Sequence, residues 1–174
     1  RGLAALRPLL DDLGTISDRI ELARRLGRGV HADVDPLGFG VYRSAGVLGL
    51  AVEQSLHGEP ANVAFLLQGG LGLPDREDYL GADPGRVDLR ARYLETIRKL
   101  LGLAGFDRAD ERAAAVLALE TALARDQATR AASANDRNAD NVWKLADFAR
   151  RAPGMDWPAF LEAAGLAGQE EIVV

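Results

Sequence analysis

Residues 68–80 read Gln68-Gly69-Gly70-Leu71-Gly72-Leu73-Pro74-Asp75-Arg76-Glu77-Asp78-Tyr79-Leu80. Gly69, Gly70 and Gly72 open backbone angles that a residue with a β-carbon avoids. Pro74 then fixes one angle just before Asp75, whose carboxylate can accept from the free amides of a following helical turn. The stretch is therefore a sharp, locally specified reversal that delivers Tyr79 and Leu80 to a packing surface.

Downstream of the turn the pattern is helical. Leu89, Tyr93, Ile97, Leu100 and Ala104 form one stripe, with Gly105 placed to stop that helix. Residues 109–131 are the longest helical candidate, with Ala113, Val116, Leu117 and Leu123 on one side. Residues 140–151 read as a shorter helix carrying Trp143 and Phe148, broken by Pro153-Gly154. Asp156 then caps a last helix from Trp157 to Ala164, with Pro158 in its first turn. The tail Glu171-Ile172-Val173-Val174 is a β-like run with no evident partner, which suggests a truncated chain.

Upstream, residues 3–13 and 16–28 look helical, the second carrying Ile16, Ile20, Ala23 and Leu26 or Gly27 at helical spacing. Thr15 or Ser17 suits the start of that helix. Residues 37–43 and 46–54 read as two strands around Ser44-Ala45-Gly46, and Val63–Leu67 is a third apolar run. A two-stranded ribbon alone is marginal, so it must lean on helices or on part of a longer chain. The expected fold is thus mainly α: residues 1–174 as one helical lobe, with a small antiparallel β-ribbon at 37–67 inserted in it.

Bulk properties fit one domain or one lobe of a bigger protein. The 174 residues are 48% hydrophobic and 27% charged, with a net charge of −5, which argues against a nucleic-acid platform needing a basic surface. No run approaches the ~20 apolar residues of a membrane span. The 19 arginines against two lysines are interleaved with acids and read as a genome bias. The start, Arg1-Gly2-Leu3-Ala4-Ala5-Leu6-Arg7-Pro8, has neither an initiator Met nor a signal-peptide pattern and looks like a cut inside a longer chain.

Chemistry is sparse. There is no cysteine, so no disulfide and no thiolate metal site is possible. The two histidines, His31 and His57, lie outside any H-E-x-x-H pattern, and loop or surface roles suit them better than metal ligation. Ser44, Ser55 and Ser133 have no base nearby in sequence and no G-x-S-x-G elbow. The Gly69–Gly72 turn lacks the G-K-[ST] ending of a phosphate loop and the frame of a dinucleotide site. Glu120 is the odd residue, a carboxylate on the apolar side of its helix. It should be paired, because burying it alone is costly. Arg92, Arg98 or Arg130 are the candidate partners, in a structural clamp rather than as a catalytic base. No catalytic or metal-binding residue is assigned, and substrate-binding residues stay unknown.

The string 68–80 closely resembles a segment of the neprilysin and endothelin-converting-enzyme family of zinc metallopeptidases. Val30-His31 through Leu37-Gly38-Phe39-Gly40-Val41 is similar to that family's upstream pattern. Tyr93 to Gly105 resembles its helix after the Y-Y-L element, and Leu119-Glu120-Thr121-Ala122-Leu123-Ala124 its E-x-x-[LI]-A helix. Ala152-Pro153-Gly154-Met155-Asp156-Trp157 with Phe160-Leu161 resembles its P-x-x-D-W-x-x-[FY] element. Two departures stand out. Glu77-Asp78-Tyr79-Leu80 replaces Asp-Tyr-Tyr-Leu, and only Asn141, preceded by Asp140, survives from an Arg-Asp then Tyr-Asn element.

The resemblance implies a fragment of a bacterial metalloendopeptidase that is periplasmic, membrane-anchored or secreted. Its zinc, the H-E-x-x-H ligands, the general-base glutamate and the transition-state histidine belong to a C-terminal part with no matching position here. The implied partners are that missing zinc lobe and peptide substrates, which the helical lobe would admit by size. The alternative is a stand-alone helical protein-interaction module that kept the fold without the chemistry. A complete enzyme within 174 residues has no discernible acid, base and nucleophile set.

Overall fold

The computed structural model describes residues 2–30, 32, 46–55, 60–133 and 141–174. Among them are eight α-helical segments and four strands, so the chain is mainly α with a small sheet. It divides into two compact units, Arg1–Gly69 with Ala131–Val174, and Gly70–Arg130.

In the first unit a 3₁₀ turn, Gly2–Ala5, leads into α1 (Arg7–Gly14) and then α2 (Arg19–Arg28). The cap of α2 is Asp18, whose carboxylate accepts from the Glu21 amide at 2.8 Å. Thr15 does not cap it: its hydroxyl donates back to the Asp12 carbonyl at 2.7 Å and closes α1 instead. Arg25 lies 2.7 Å from Asp12 and ties the two helices.

Strands β1 (Leu48–Gln54) and β2 (Asn62–Gln68) pair antiparallel, Leu50 opposite Leu66 and Ala51 opposite Phe65. The expected strand at 37–43 lies outside the described residues. Two expectations are corrected by the sheet. The tail is not left without a partner: β4 (Glu171–Val173) runs parallel to β2 and antiparallel to β3 (Val142–Lys144). The order is β1-β2-β4-β3, so the antiparallel pair β1–β2 belongs to a four-stranded mixed sheet. Residues 142–151 are likewise not one helix but β3, a 3₁₀ turn and the single turn α7 (Phe148–Arg151). Trp143 backbone pairs with Ile172, and the Leu145 amide donates to the Glu170 carbonyl at 3.2 Å. That distant ladder outweighs a helical spacing of aromatics, which is ambiguous over so few residues.

The sheet alternates. Leu50, Ala64, Leu66 and Ile172 face a core with Ala23 and the last helix, α8 (Trp157–Ala163), while Ala51, Phe65 and Val173 cluster on the other face. As expected from sequence, Asp156 caps α8, accepting from the Ala159 amide at 3.0 Å. Trp157 stacks obliquely on Phe148 at 4.9 Å and meets Phe160 edge-on at 5.5 Å. Its indole N–H donates to the Ala152 carbonyl at 2.6 Å, so the polar edge of the buried ring is satisfied. Helix α2 crosses α8 at Gly27, where a β-carbon would run into the Phe160 carbonyl and press on the Ala163 methyl at 3.0 Å.

In the second unit the glycine turn leads to α3 (Arg76–Leu80), α4 (Pro84–Leu103) and α5 (Ala109–Asp126). Asp83 caps α4 with Pro84 in its first turn. Gly105, in the left-handed region at φ 82°, follows the end of α4 as the sequence predicts. Helix α5 stops at Asp126, short of the expected 131, because Gln127 turns extended, and a separate single turn, α6 (Arg130–Ser133), follows.

Gly27→Ala is expected to lower stability by about 1–3 kcal/mol, because the added methyl meets rigid backbone rather than a yielding side chain. Chemical denaturation with an unchanged midpoint would refute the close α2–α8 approach.

Candidate functional site

The glycine turn and three helices of the second unit converge on Glu120. Asp75 begins α3 with a reciprocal cap. Its carboxylate accepts from the Glu77 amide at 3.0 Å, and Asp78 accepts from the Asp75 amide at 3.2 Å. This cap directs Tyr79 inward, where it is almost wholly buried. The Tyr79 hydroxyl accepts from the Leu73 amide at 2.8 Å and donates to Glu120 Oε2 at 2.9 Å. From α4, the Tyr93 hydroxyl donates to Glu120 Oε1 at 3.0 Å. The two rings meet edge to face at 6.5 Å.

Gly72 closes the arrangement. A β-carbon there would overlap the Tyr93 hydroxyl and lie 3.2 Å from Glu120 Oε1. The glycine expected to shape a turn is therefore also a spacer that lets a phenol reach a carboxylate. Gly70 supplies the left-handed angle, φ 84°.

Glu120 is paired, as its place on the apolar side demands, but with two phenols. The three arginines proposed from sequence are engaged elsewhere: Arg92 with Asp88 at 2.7 Å, Arg98 with Glu95 at 2.6 Å, and Arg130 with Asp75 at 3.2 Å. The reason is reach: α3 places Tyr79 over α5 directly, whereas Arg92 and Arg98 point along the surface of α4.

Burial, and then the adjoining Glu120 carboxylate, push both phenols up. Tyr93 rises to about 12 and Tyr79 rises further, although the Leu73 amide opposes the shift at Tyr79. Both hydroxyls thus stay protonated donors at neutral pH. The cluster is suited to holding the turn against α4 and α5.

Arginines missed in the sequence complete the frame. Arg76 donates to the Ala124 carbonyl at 3.0 Å, near the end of α5. Arg90 donates to the carbonyls of Asp78 and Gly81 at 2.8 and 2.9 Å, capping α3. The available signal was the spacing of Arg86, Arg90 and Tyr93, which share one side of α4.

The other sequence candidates are not brought together. His31, His57 and Ser44 lie outside the described residues. Ser133 accepts from the Gln68 amide nitrogen at 3.4 Å in the first unit. An open pocket of about 270 Å³ in that unit is lined by Arg19, Leu22, Ala23, Leu26, Gly154 and Met155, with Arg19 as its one ionisable group. Among the described residues no group of three or more His, Cys, Asp or Glu could hold a metal. A zinc site needs about that many donors, so the described residues do not fit the zinc of a metallopeptidase. No helix among them is long and apolar enough to cross a membrane.

The chain is mainly α, in two units, with a tyrosine–glutamate cluster under the glycine turn of the second. Peptidase family M13 matches it over residues 1–174, and the chain belongs to that family. This bears out the resemblance to the neprilysin and endothelin-converting-enzyme family.

Rat endothelin-converting enzyme-like 1 is 33% identical over 129 residues, covering 68% of this chain and 16% of the rat protein. Mouse endothelin-converting enzyme-like 1 is 28% identical over 188 residues, covering 97% of this chain and 23% of the mouse protein. The zinc metalloprotease ZMP1 of Mycobacterium tuberculosis, in its open state, superposes with a TM-score of 0.78 at 25% identity. That match covers 97% of this chain and 26% of the ZMP1 chain. ZMP1 in complex with an inhibitor gives a TM-score of 0.77 at 26% identity, covering 97% and 25%. The chain thus spans about a quarter or less of the length of these relatives.

Two outcomes test the clamp. Glu120→Ala should cost about 1–3 kcal/mol by leaving two inward phenols without an acceptor, and Glu120→Gln clearly less. Equal midpoints for both variants in urea melts would contradict the clamp. The raised phenols favour the neutral form in the fold. Their stabilising effect is complete below the ordinary tyrosine value of 10.0 and is lost as pH rises through about 12. Ultraviolet titration should show Tyr79 and Tyr93 contributing phenols still largely protonated at a pH of about 11 in the folded chain, and nearly complete tyrosine ionisation at that pH after unfolding in urea. Full ionisation of the folded chain near 10 would refute it.

Proposed function

We propose that residues 1–174 are part of a neprilysin-like zinc metalloendopeptidase and contribute its helical lobe. In this reading the lobe, including the 37–67 ribbon, caps the active-site chamber and limits the size of peptide that enters. The observation that carries the proposal is the match of 97% of the chain to a zinc metalloprotease at a TM-score of 0.78, alongside the family match over residues 1–174.

The described residues support a wall rather than a reaction centre. Glu120, the one inward carboxylate of the glycine-turn cluster, is shared by two protonated phenols. A general base must instead lie within hydrogen-bond reach of a substrate or water proton, whereas each Glu120 oxygen is held by a phenol of its own unit. We take the zinc, its ligands and the acid–base residues to lie in a partner lobe outside these 174 residues. Peptides are the substrates, and the setting is periplasmic, membrane-anchored or secreted in a bacterium. A rigid wall suits size selection, since exclusion needs a surface that does not yield. The tyrosine–glutamate clamp and the Gly27 contact each supply such stiffness locally.

The test compares the 174-residue chain with the polypeptide encoded by the whole reading frame. The longer protein should cleave a short fluorogenic peptide in a chelator-sensitive manner. Its kcat/KM should fall at least about tenfold, or ~1.4 kcal/mol, for a folded protein carrying the same cleavable sequence. The 174-residue chain should cleave neither. Chelator-sensitive cleavage by the short chain would overturn the proposal, as would a reading frame without peptidase activity. The second result would favour a stand-alone interaction module.

A further inference from the structure

Among the described residues, helix α4 carries an apolar stripe longer than what covers it. Leu89 and Tyr93 pack with Leu73, Tyr79 and Leu117 in the core of the second unit. Leu100 is seven residues beyond Tyr93, two helical turns along nearly the same side, and Leu103 is one turn further. These two leucines stand 60% and 72% exposed. Phe106, just past the helix end, is also exposed. Helix α3 has five residues, and Arg90 of α4 donates to the carbonyls of Asp78 and Gly81 at its end.

The charges around this stripe satisfy one another. Glu95 binds Arg98 at 2.6 Å and Lys99 at 3.3 Å, and Arg98 also lies 3.6 Å from Asp110. Arg112 pairs with Asp107 at 3.1 Å and sits over the Phe106 ring at 5.3 Å. A partner here is therefore selected by apolar shape and not by charge. Leucines three residues apart form the kind of ridge that another helix packs against. Family relatives have ample chain to supply one, since this chain covers 26% of ZMP1 and 23% of the mouse relative.

We infer that Leu100, Leu103 and Phe106 form a docking surface for an uncharged apolar helix of the same longer polypeptide, from outside residues 1–174. The inference rests on the reading above that the chain is part of a larger peptidase. Docking there would extend the packed face of α4 along its full length, continuing what α3 begins.

The chain has no cysteine, so single introduced thiols report exposure within it cleanly. Leu103→Cys and Leu100→Cys are compared with Asp88→Cys, a control on the solvated side of α4. Each is made in the 174-residue chain and in the whole polypeptide. Maleimide modification is followed by peptide mass spectrometry, with peptide cleavage measured on the same samples. In the short chain all three positions should react at similar rates. In the long polypeptide the two leucine positions should slow at least about tenfold while the control stays unchanged. Undiminished reaction in a long polypeptide that cleaves peptides would overturn the docking surface and leave the proposed function standing. Protection in a long polypeptide that cleaves nothing would uphold the docking surface and remove the peptidase reading. Protection already present in the short chain would overturn the inference, because the chain itself or a second copy would then be the cover.

Discussion

The second unit depends on a gap the size of a hydrogen atom. Gly72 passes so close to the Tyr93 hydroxyl that no β-carbon fits between them. That approach lets Tyr93 share the Glu120 carboxylate with Tyr79. A carboxylate among apolar side chains, with no ion pair to it among the described residues, is costly unless hydrogen bonds replace its water. Two phenols supply those bonds from two different helices, and the Leu73 amide orients one of them. Turn, α3, α4 and α5 are therefore coupled through a single side chain.

The first unit rests on a different device. Its sheet is closed by a strand from the far end of the sequence, β4, seated between β2 and β3. Ile172 then joins Phe148, Phe160 and Trp157 in one core. Long-range pairing of this kind satisfies backbone donors and acceptors that local structure would leave open. It also explains why an aromatic-rich stretch around Trp143 gave up helical spacing for a short strand.

Much of the fold was legible because its signals are local. Asp75 and Asp156 start helices through bonds spanning two or three residues, and Pro158 sits where a missing amide is harmless. The Glu120 clamp was half legible. Its position on the apolar side required a partner, but nothing local distinguishes an arginine on the same surface from a tyrosine 41 residues away. The arginines were drawn instead to nearer acids, as Arg92 to Asp88 and Arg98 to Glu95 show. The uncovered end of the α4 stripe was illegible for a related reason. Periodicity says which residues share a face and nothing about how far the neighbouring element extends.

By itself the sequence determined the class of the chain: helices by period and cap, a glycine reversal, strand runs at 46–54 and 63–67, and kinship with a peptidase family. Those features follow from backbone angles and from neighbours a few residues apart. Only the tertiary structure decided that the tail becomes an inner strand, that Gly72 is a spacer for a phenol, and that Glu120 is shared by two tyrosines. Each of these depends on which surfaces meet across tens of residues, and that choice is made by the packing of the whole unit.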